Sequence, residues 1–239
     1  MISLNMSKRS IILITGGTGN LGTELTRFLL KGDNRIYCTY IFENELNRFG
    51  DIEKKNINFI NCDLTCMDST DECINKIITE DNKIDSLIKL VGGFQQKKFI
   101  ESNLEDAKEM MNMNYFSVFN ICNLSVKALL KSENASIINI GAEAGEIGFE
   151  NMTAYSASKA ALINLSKTLS KELKKLEIRV TCIIPGTIDT QDNRNLMPND
   201  DHSKWVHPLD IAKTISYLIS ENSKASNSNF IRMGDINNE

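Results

Sequence analysis

The hydrophobic residues of this chain follow two alternating patterns. Short runs of aliphatic residues, such as residues 11–14, are typical of strands that are buried on both faces of a sheet. Between these runs lie longer segments in which apolar residues recur every three or four positions, which is typical of helices. The first such segment contains Leu21, Leu25, Phe28 and Leu29.

This alternation predicts the fold class. Strands are predicted at residues 11–14, 35–42, 57–62, 84–91, 135–140, 178–184 and 230–233. After the first helix, further helices are predicted at residues 68–79, 103–131, 153–176 and 208–220. Strands that alternate with helices of ten or more residues build βαβ units. We therefore expect an α/β protein: a doubly wound, mainly parallel seven-stranded sheet with helices on both faces.

The first strand ends in a glycine-rich turn, SIILITGGTGNLG at residues 10–22. Gly16, Gly19 and Gly22 permit the tight turn, a close approach of the backbone to a ligand, and close packing of the helix on the strand. The free N–H groups and the positive dipole end of the helix then face the ligand, most favourably a pyrophosphate. This unit favours dinucleotide binding; the alternative is a purely structural turn.

Composition narrows the class of protein. The 239 residues contain no linker-like stretch, so we expect one domain, residues 1–239. The net charge of -4 comes from interspersed acids and bases, which argues against nucleic acid as a partner. No apolar run is long enough for a bilayer, and the N-terminal MISLNMSKRS lacks the apolar core of a signal peptide, so we expect a cytoplasmic protein away from membranes.

Six cysteines without paired CxxC spacing predict free, mostly buried thiols. The chain has only two histidines, both distant from the cysteines in sequence, so no metal site is expected.

Ligands of such sheets bind beyond the carboxyl ends of the strands. At the end of the second strand, where an acid normally binds the adenosine ribose, the chain has Tyr40. Glu43 and Glu45 follow closely but cannot be positioned, so the choice between NAD and NADP stays open. At the end of the third strand, Asp63 is placed either to accept a hydrogen bond from the adenine amino group or to form an Asx turn.

The fourth predicted strand ends in Gly92, Gly93 and Phe94. Two glycines allow a ligand to lie against the backbone. Phe94 then stands at the rim, where it either stacks on a planar substrate or packs against the protein.

Tyr155 and Lys159, in YSASK, leave the same face of a predicted helix one turn apart. An ammonium beside a phenol favours the phenolate by about 4 kcal/mol at an effective dielectric of about 20. This interaction predicts a pKa for Tyr155 roughly two or three units below its usual value, which would make the tyrosine a usable acid at neutral pH.

These motifs resemble those of the short-chain dehydrogenase/reductase family across nearly the whole chain. The matching positions are Thr15, Gly16, Gly19, Gly22, Asp63, Asn114, Tyr155, Lys159, Pro185, Gly186 and Thr190. The resemblance implies a Rossmann fold, NAD or NADP as cofactor, Tyr155 as catalytic acid, Lys159 on the nicotinamide ribose and Asn114 holding a water. It also implies that Ile188 and Thr190 lie at the carboxamide. The full set of expected cofactor-binding residues is Gly16, Thr18, Gly19, Asn20, Leu21, Gly22, Tyr40, Asp63, Leu64, Gly92, Gly93, Tyr155, Lys159, Pro185, Gly186, Ile188 and Thr190.

One departure from the family pattern concerns the chemistry. The family's catalytic serine would lie thirteen residues before the tyrosine, and this chain has Ala142 there. The dihydropteridine reductases, a subgroup of the family, are similar in lacking this serine and in the Gly-Gly-aromatic sequence at 92–94, and some bacterial short-chain reductases are similar too. This resemblance implies hydride transfer to a conjugated C=N or an activated carbonyl. The alternative is a non-catalytic NAD(P)-binding sensor.

The polar residues 190–208 are expected to form a lid over a small-molecule substrate. Candidate substrate contacts are Phe94, Ala142, Arg194 and Trp205. Small residues along the predicted helix that carries Tyr155 suit close pairing between copies, so a homodimer or homotetramer is expected.

Overall fold

In the computed structural model, strands and helices alternate along the chain as the sequence predicts. The structure describes residues 9–50, 52, 54–224 and 229–234, so most of the N-terminal segment considered as a signal peptide lies outside the described residues. The strands are β1 (Ser10–Thr15), β2 (Asn34–Tyr40), β3 (Ile57–Asn61), β4 (Ser86–Lys89), β5 (Ser136–Ile140), β6 (Arg179–Pro185) and β7 (Phe230–Met233). The helices are α1 (Asn20–Leu29), α2 (Met67–Asp81), α3 (Leu104–Met111), α4 (Ser117–Leu129), α5 (Ala144–Ile147), α6 (Thr153–Glu172), α7 (Gln191–Leu196) and α8 (Pro208–Ile219).

The strands form one sheet in the order β3-β2-β1-β4-β5-β6-β7, and every pairing is parallel. This confirms the predicted fold class, a doubly wound Rossmann fold. The strand order reverses between β1 and β4, and the carboxyl ends of these strands form the crevice where such folds bind ligands.

Alternate residues of the strands pack into two apolar layers. Leu13, Leu87 and Ile137 lie in the layer that contains buried residues of α2, α4 and α6. Ile12 and Ile14 lie in the opposite layer with buried residues of α1 and α8. Because both faces are covered, β1 at the centre of the sheet has four successive aliphatic residues, 11–14, rather than an alternation with polar residues.

Two features differ from the expected elements. The helix predicted at 103–131 contains a π-helical turn, Asn112–Phe116, between α3 and α4. The expected lid, in which no helix was predicted, contains α7. This helix begins after Thr190, whose side chain caps it by accepting a hydrogen bond from the Asn193 N–H at 3.3 Å. The polar sequence of α7 has no apolar period, so the sequence pattern did not reveal this helix.

All six cysteines are free thiols, with Cys66 exposed and the others buried. Within the described ranges, no group of three or more His, Cys, Asp or Glu side chains is arranged to hold a metal ion. Of the helices described, none is both long and apolar enough to cross a bilayer.

A lysine, Lys89, ends the central strand β4 and is fully buried. Its Nζ donates a hydrogen bond to the Val91 carbonyl, and it pairs in register with Thr15 of β1 and Asn139 of β5. Burial, and secondarily the cation of Lys159, hold the pKa of Lys89 well below its usual value. The folded protein therefore resists protonation of an amine that is protonated in the unfolded chain at neutral pH.

We expect this amine to make folding pH-dependent. Between the lowered pKa of Lys89 in the folded chain and its unfolded pKa of about 10.4, the unfolded chain binds a proton that the folded chain does not, so the contribution of Lys89 to stability rises with pH. Lys89→Met removes this dependence, so its melting temperature relative to wild type should be highest near pH 7 and should decline towards pH 10. Thermal unfolding across this range tests the prediction. The exposed Lys127 of α4 provides a control, since Lys127→Met should show a constant offset. An offset for Lys89→Met that does not change with pH would contradict it.

The glycine turn is held by close packing at particular positions. Gly16 has φ +66°, which favours glycine. A Cβ on Gly22 would lie 2.3 Å from the Gly16 oxygen, and one on Gly17 would lie 2.5 Å from the Cys38 sulfur. A Cβ on Gly19 would make an ordinary contact, 3.4 Å from the Gly16 oxygen.

Gly22 and Gly19 therefore form a matched pair for testing. Gly22→Ala should lower the free energy of unfolding by about 1–3 kcal/mol, because the contacting atoms belong to the backbone and cannot rotate away. Gly19→Ala should lower it by less, about 1 kcal/mol at most, since Gly19 has φ -68° and space for a methyl group and only the N-cap preference for glycine over alanine is lost. Urea unfolding measures both. Equal losses in the two variants would mean that the Gly16–Gly22 contact does not hold the turn.

Candidate active site

A cleft of about 300 Å³ opens at the carboxyl edge of the sheet, beyond the ends of β1, β2, β3 and β4. Seven of the residues predicted to bind a cofactor line it: Gly16, Thr18, Gly19, Tyr40, Asp63, Leu64 and Gly92. The turns after four strands are thus brought to one surface, as the strand-end argument requires.

The start of α1 is suited to a phosphate. Its N-cap is Gly19, which makes no side-chain capping hydrogen bond, and Asn20, Leu21 and Gly22 form the first turn. Since Gly19 has no side chain, a ligand can approach the N–H groups of this turn. The open turn and the adjoining cleft therefore fit a dinucleotide.

At the far end of the cleft, Asp63 forms the Asx turn that the sequence allowed. Its Oδ1 accepts hydrogen bonds from the Thr65 N–H at 2.9 Å and the Thr65 hydroxyl at 2.7 Å. Asp63 also lines the cleft, so contact with an adenine amino group through Oδ2 stays a prediction.

Asn114 lies in the π-helical turn and is fully buried. Its Oδ1 accepts a hydrogen bond from the Gly93 N–H at 3.1 Å, and its Nδ2 donates to the Gly93 carbonyl at 3.0 Å and to the Ser158 hydroxyl at 3.0 Å. A Cβ on Gly92 would lie 2.7 Å from Asn114 Oδ1 and 3.5 Å from Lys159 Nζ. The β4 turn, the π-helical turn and α6 therefore meet at this amide.

Tyr155 and Lys159 occupy the first turns of α6, as expected. The Lys159 Nζ lies 5.9 Å from the centre of the Tyr155 ring and donates a hydrogen bond to the Ile140 carbonyl at 3.0 Å. The two side chains thus share one helix face, with the amine turned towards the end of β5.

The predicted lowering of the Tyr155 pKa is wrong for this structure. Burial raises the pKa of Tyr155 to about 12, and burial lowers the pKa of Lys159 to about 8. Loss of hydration penalises the charged form of each group, an effect that the sequence argument left out. The phenol is therefore protonated at neutral pH.

Phe94 packs on the catalytic candidate. Its ring meets the Tyr155 ring edge-on, with centroids 5.0 Å apart and an interplanar angle of 75°. Phe94 is 48% exposed, so it contributes to packing and also presents a surface outward. Its contact with a substrate stays a prediction.

Ala142 lies in the turn between β5 and α5, where its carbonyl accepts a hydrogen bond from the Gly145 N–H at 2.9 Å. Glu143, the next residue, donates its N–H to the carbonyl of Pro185 at the end of β6. The segments that carry Ala142 and Pro185 are therefore adjacent, which is consistent with one site beyond β5 and β6.

The residues expected near the cofactor beyond β6 make contacts within the protein. Gly186 donates its N–H to the Met233 carbonyl at 2.8 Å. Ile188 forms a bridge with Val206, and Thr190 caps α7. Their contacts with a cofactor stay predictions.

The lid residues are held mainly by local contacts. Arg194 forms a two-pronged ion pair with Asp189, with distances of 2.5 and 2.8 Å. Trp205 packs on the His202 ring at 4.3 Å, and His207 caps α8. Asn20 reaches the lid by donating a hydrogen bond to Asp192 at 2.5 Å. Substrate contacts by Arg194 and Trp205 stay predictions.

Sequence reasoning missed several residues at this site. Ser158 binds Asn114, Lys89 supports the β4 turn through Val91, and Gly17 packs on Cys38. A lysine inside an otherwise aliphatic strand was a usable signal for Lys89. Ser158 gave no such signal, because serine at this helical spacing is common.

The comparisons with known proteins agree with this geometry. A family model described as short chain dehydrogenase matches residues 10–201. The 3-oxoacyl-[acyl-carrier-protein] reductase FabG of Chlamydia trachomatis is 27% identical over 237 residues, which cover 93% of this chain and 94% of that protein. The FabG of Thermotoga maritima is 26% identical over 229 residues, which cover 89% and 91%.

Solved structures share the fold. The structure of ElxO with NADP bound has a TM-score of 0.85 at 23% identity and covers 95% of this chain and 97% of that chain. A putative 3-oxoacyl-reductase from Bacillus thuringiensis has a TM-score of 0.79 at 26% identity and covers 94% and 96%. The similarity to dihydropteridine reductases rests only on the short motifs described above. The family match spans most of the chain, which therefore belongs to the short-chain dehydrogenase family of NAD(P)-dependent oxidoreductases.

Proposed function

We propose that this chain is a reductase that transfers hydride to a conjugated C=N or an activated carbonyl, with Tyr155 as the proton donor. The observation that carries the proposal is the position of Gly92. It lines the cofactor cleft and lies directly against Asn114 and Lys159. The turn after β4 therefore borders both the cleft and two of the proposed proton-transfer residues.

The residues of the chain suit the reductive direction. NAD(P)H, when bound, supplies the hydride. Tyr155, with a pKa of about 12, holds its proton at neutral pH and has it available for the acceptor. Lys159, with a pKa of about 8, is protonated in most molecules at pH 7 and can return a proton to the tyrosine.

The weakness of this acid supports an acceptor with a basic atom. With Ala142 in place of a serine, one hydroxyl fewer is present to polarise a carbonyl oxygen. A phenol with a raised pKa protonates a basic nitrogen more readily than a ketone oxygen. A dihydropteridine is one such acceptor, and the FabG names of the relatives suggest a 3-oxoacyl thioester as the carbonyl alternative.

Ala142→Ser tests this acceptor preference. The purified protein should oxidise NADH or NADPH with quinonoid dihydropteridine and should reduce simple ketones slowly. The added hydroxyl should increase kcat/KM for ketones by about 10²-fold, the size of one oxyanion-type donor, and should change the pteridine rate little. Steady-state kinetics on both acceptors measures the difference. Inactivity with every acceptor of both classes would refute the proposal.

Tyr155→Phe tests the proton donor. It should reduce kcat by about 10²-fold or more, because general-acid catalysis typically contributes 10²- to 10⁴-fold, while the Kd for the cofactor stays within a few-fold. Tyr217→Phe, on the exposed face of α8, is the matched control and should be fully active. Unchanged kcat in Tyr155→Phe would remove the assigned role.

A non-catalytic sensor is the second candidate, and Ala142 is the observation that favours it. A sensor would bind the cofactor tightly and give no turnover with any acceptor. The presence of Asn114, Tyr155 and Lys159 together favours the enzyme instead, since cofactor binding alone does not require a proton relay.

A further inference from the structure

The ribose end of the cleft contains a carboxylate that the sequence could not position. Glu45 lies in a short 3₁₀ helix, Glu43–Phe49, directly after β2. Its side chain lines the same cleft as Gly19 and Asp63. The acid is thus present in the cleft, but it comes from the segment after the strand rather than from position 40.

Two hydrogen bonds fix this carboxylate in place. Glu45 Oε2 accepts one from the Thr18 hydroxyl at 2.8 Å and one from the Ile41 N–H at 3.4 Å. The first donor belongs to the glycine turn and the second to the end of β2. Glu45 therefore spans the interval between the phosphate end of the cleft, at Gly19, and the adenine end, at Asp63, where the adenosine ribose would lie.

The charged side chains that line the cleft are all negative in the described part of the chain. Among the described residues that line it, the charged side chains are both carboxylates, Glu45 and Asp63. The nearby cation of Arg48 donates a hydrogen bond to the Thr18 carbonyl at 2.7 Å but lines a separate cavity of about 360 Å³ against α1 and His207. No side chain in the described lining of the cleft would neutralise a phosphate on the ribose.

We propose that Glu45 is the specificity-determining residue of the cofactor site and selects the dinucleotide without a 2′-phosphate, NAD(H). Oε1 is available to accept a hydrogen bond from the ribose 2′-hydroxyl, while a 2′-phosphate would face a fixed like charge. The inference requires dinucleotide binding, which the family implies, and is independent of the hydride acceptor.

Binding measurements test it without turnover. The Kd values of wild type for NADH and NADPH, measured by nicotinamide fluorescence, should differ by about tenfold or more in favour of NADH. Glu45→Gln should tighten NADPH binding by about tenfold and weaken NADH binding by only a few-fold, because the amide is neutral and can still bind a hydroxyl. Equal affinities in wild type, or a preference for NADPH, would overturn the proposal.

Matched variants separate the effect of the Glu45 carboxylate on cofactor preference from the effect of other nearby charges. Glu43→Gln removes the same charge from the same 3₁₀ helix, outside the described lining of the cleft, and should leave the NADPH-to-NADH ratio unchanged. Arg48→Gln should also leave it unchanged. Loss of NADPH affinity in Arg48→Gln would assign the 2′-phosphate to Arg48 and overturn the proposal.

A comparison on wild type guards against a variant that fails to fold. ADP-ribose and its 2′-phosphate differ only at the group that Glu45 is proposed to exclude, and both lack nicotinamide. Calorimetry should give tighter binding of ADP-ribose, by about tenfold or more. Equal binding of the two ligands would refute the role of Glu45 even if the reductase activity were confirmed, and failure of every acceptor would leave this result intact.

Discussion

The amide of Asn114 is the interaction on which the active-site geometry depends. It bonds both the N–H and the carbonyl of Gly93, and it bonds Ser158 of α6 as well. A buried amide that lost these partners would carry a substantial desolvation cost, so the three elements hold one another in place. The absence of a side chain at Gly92 lets the β4 turn approach this amide and the amine of Lys159.

Much of the fold could be predicted from the sequence because burial on both faces leaves a clear signal. Short apolar segments indicated every strand, including the short β7, at Phe230–Met233. Strand ends were less certain. The run at 84–91 was predicted as strand, but β4 is only Ser86–Lys89, because Leu90 and Val91 turn away to line the cleft.

The π-helical turn could not be predicted for a different reason. It changes the hydrogen-bond pattern of the helix but hardly changes its apolar spacing, since Met110, Val118 and Ile121 remain buried on either side of it. Such turns are frequent at functional sites, and here it carries Asn114. The motif identified the residue, but only coordinates could reveal the backbone that holds it.

Motif spacing predicted that Tyr155 and Lys159 lie on one face of a helix, but it did not predict their electrostatics. Tyr155 and Lys159 do share a helix face, yet the sequence argument assigned the wrong direction to the tyrosine pKa. Coulomb attraction can be estimated from spacing, whereas desolvation depends on what covers the pair. Phe94 and the burial of Lys159 supply that cover, and neither follows from a four-residue interval.

This reversal gives Ala142 a chemical meaning. An acid with a pKa near 12 is a weak donor to a ketone oxygen, and without a second hydroxyl it would be weaker still in effect. In the proposed reaction, the same acid is well matched to an acceptor whose protonated atom is a basic nitrogen, since such an atom needs little polarisation before it takes the proton. For the proposed function, Ala142 at the serine position and the raised pKa of Tyr155 therefore point in the same direction. Each would lower the rate of carbonyl reduction, and neither would prevent reduction of a conjugated C=N.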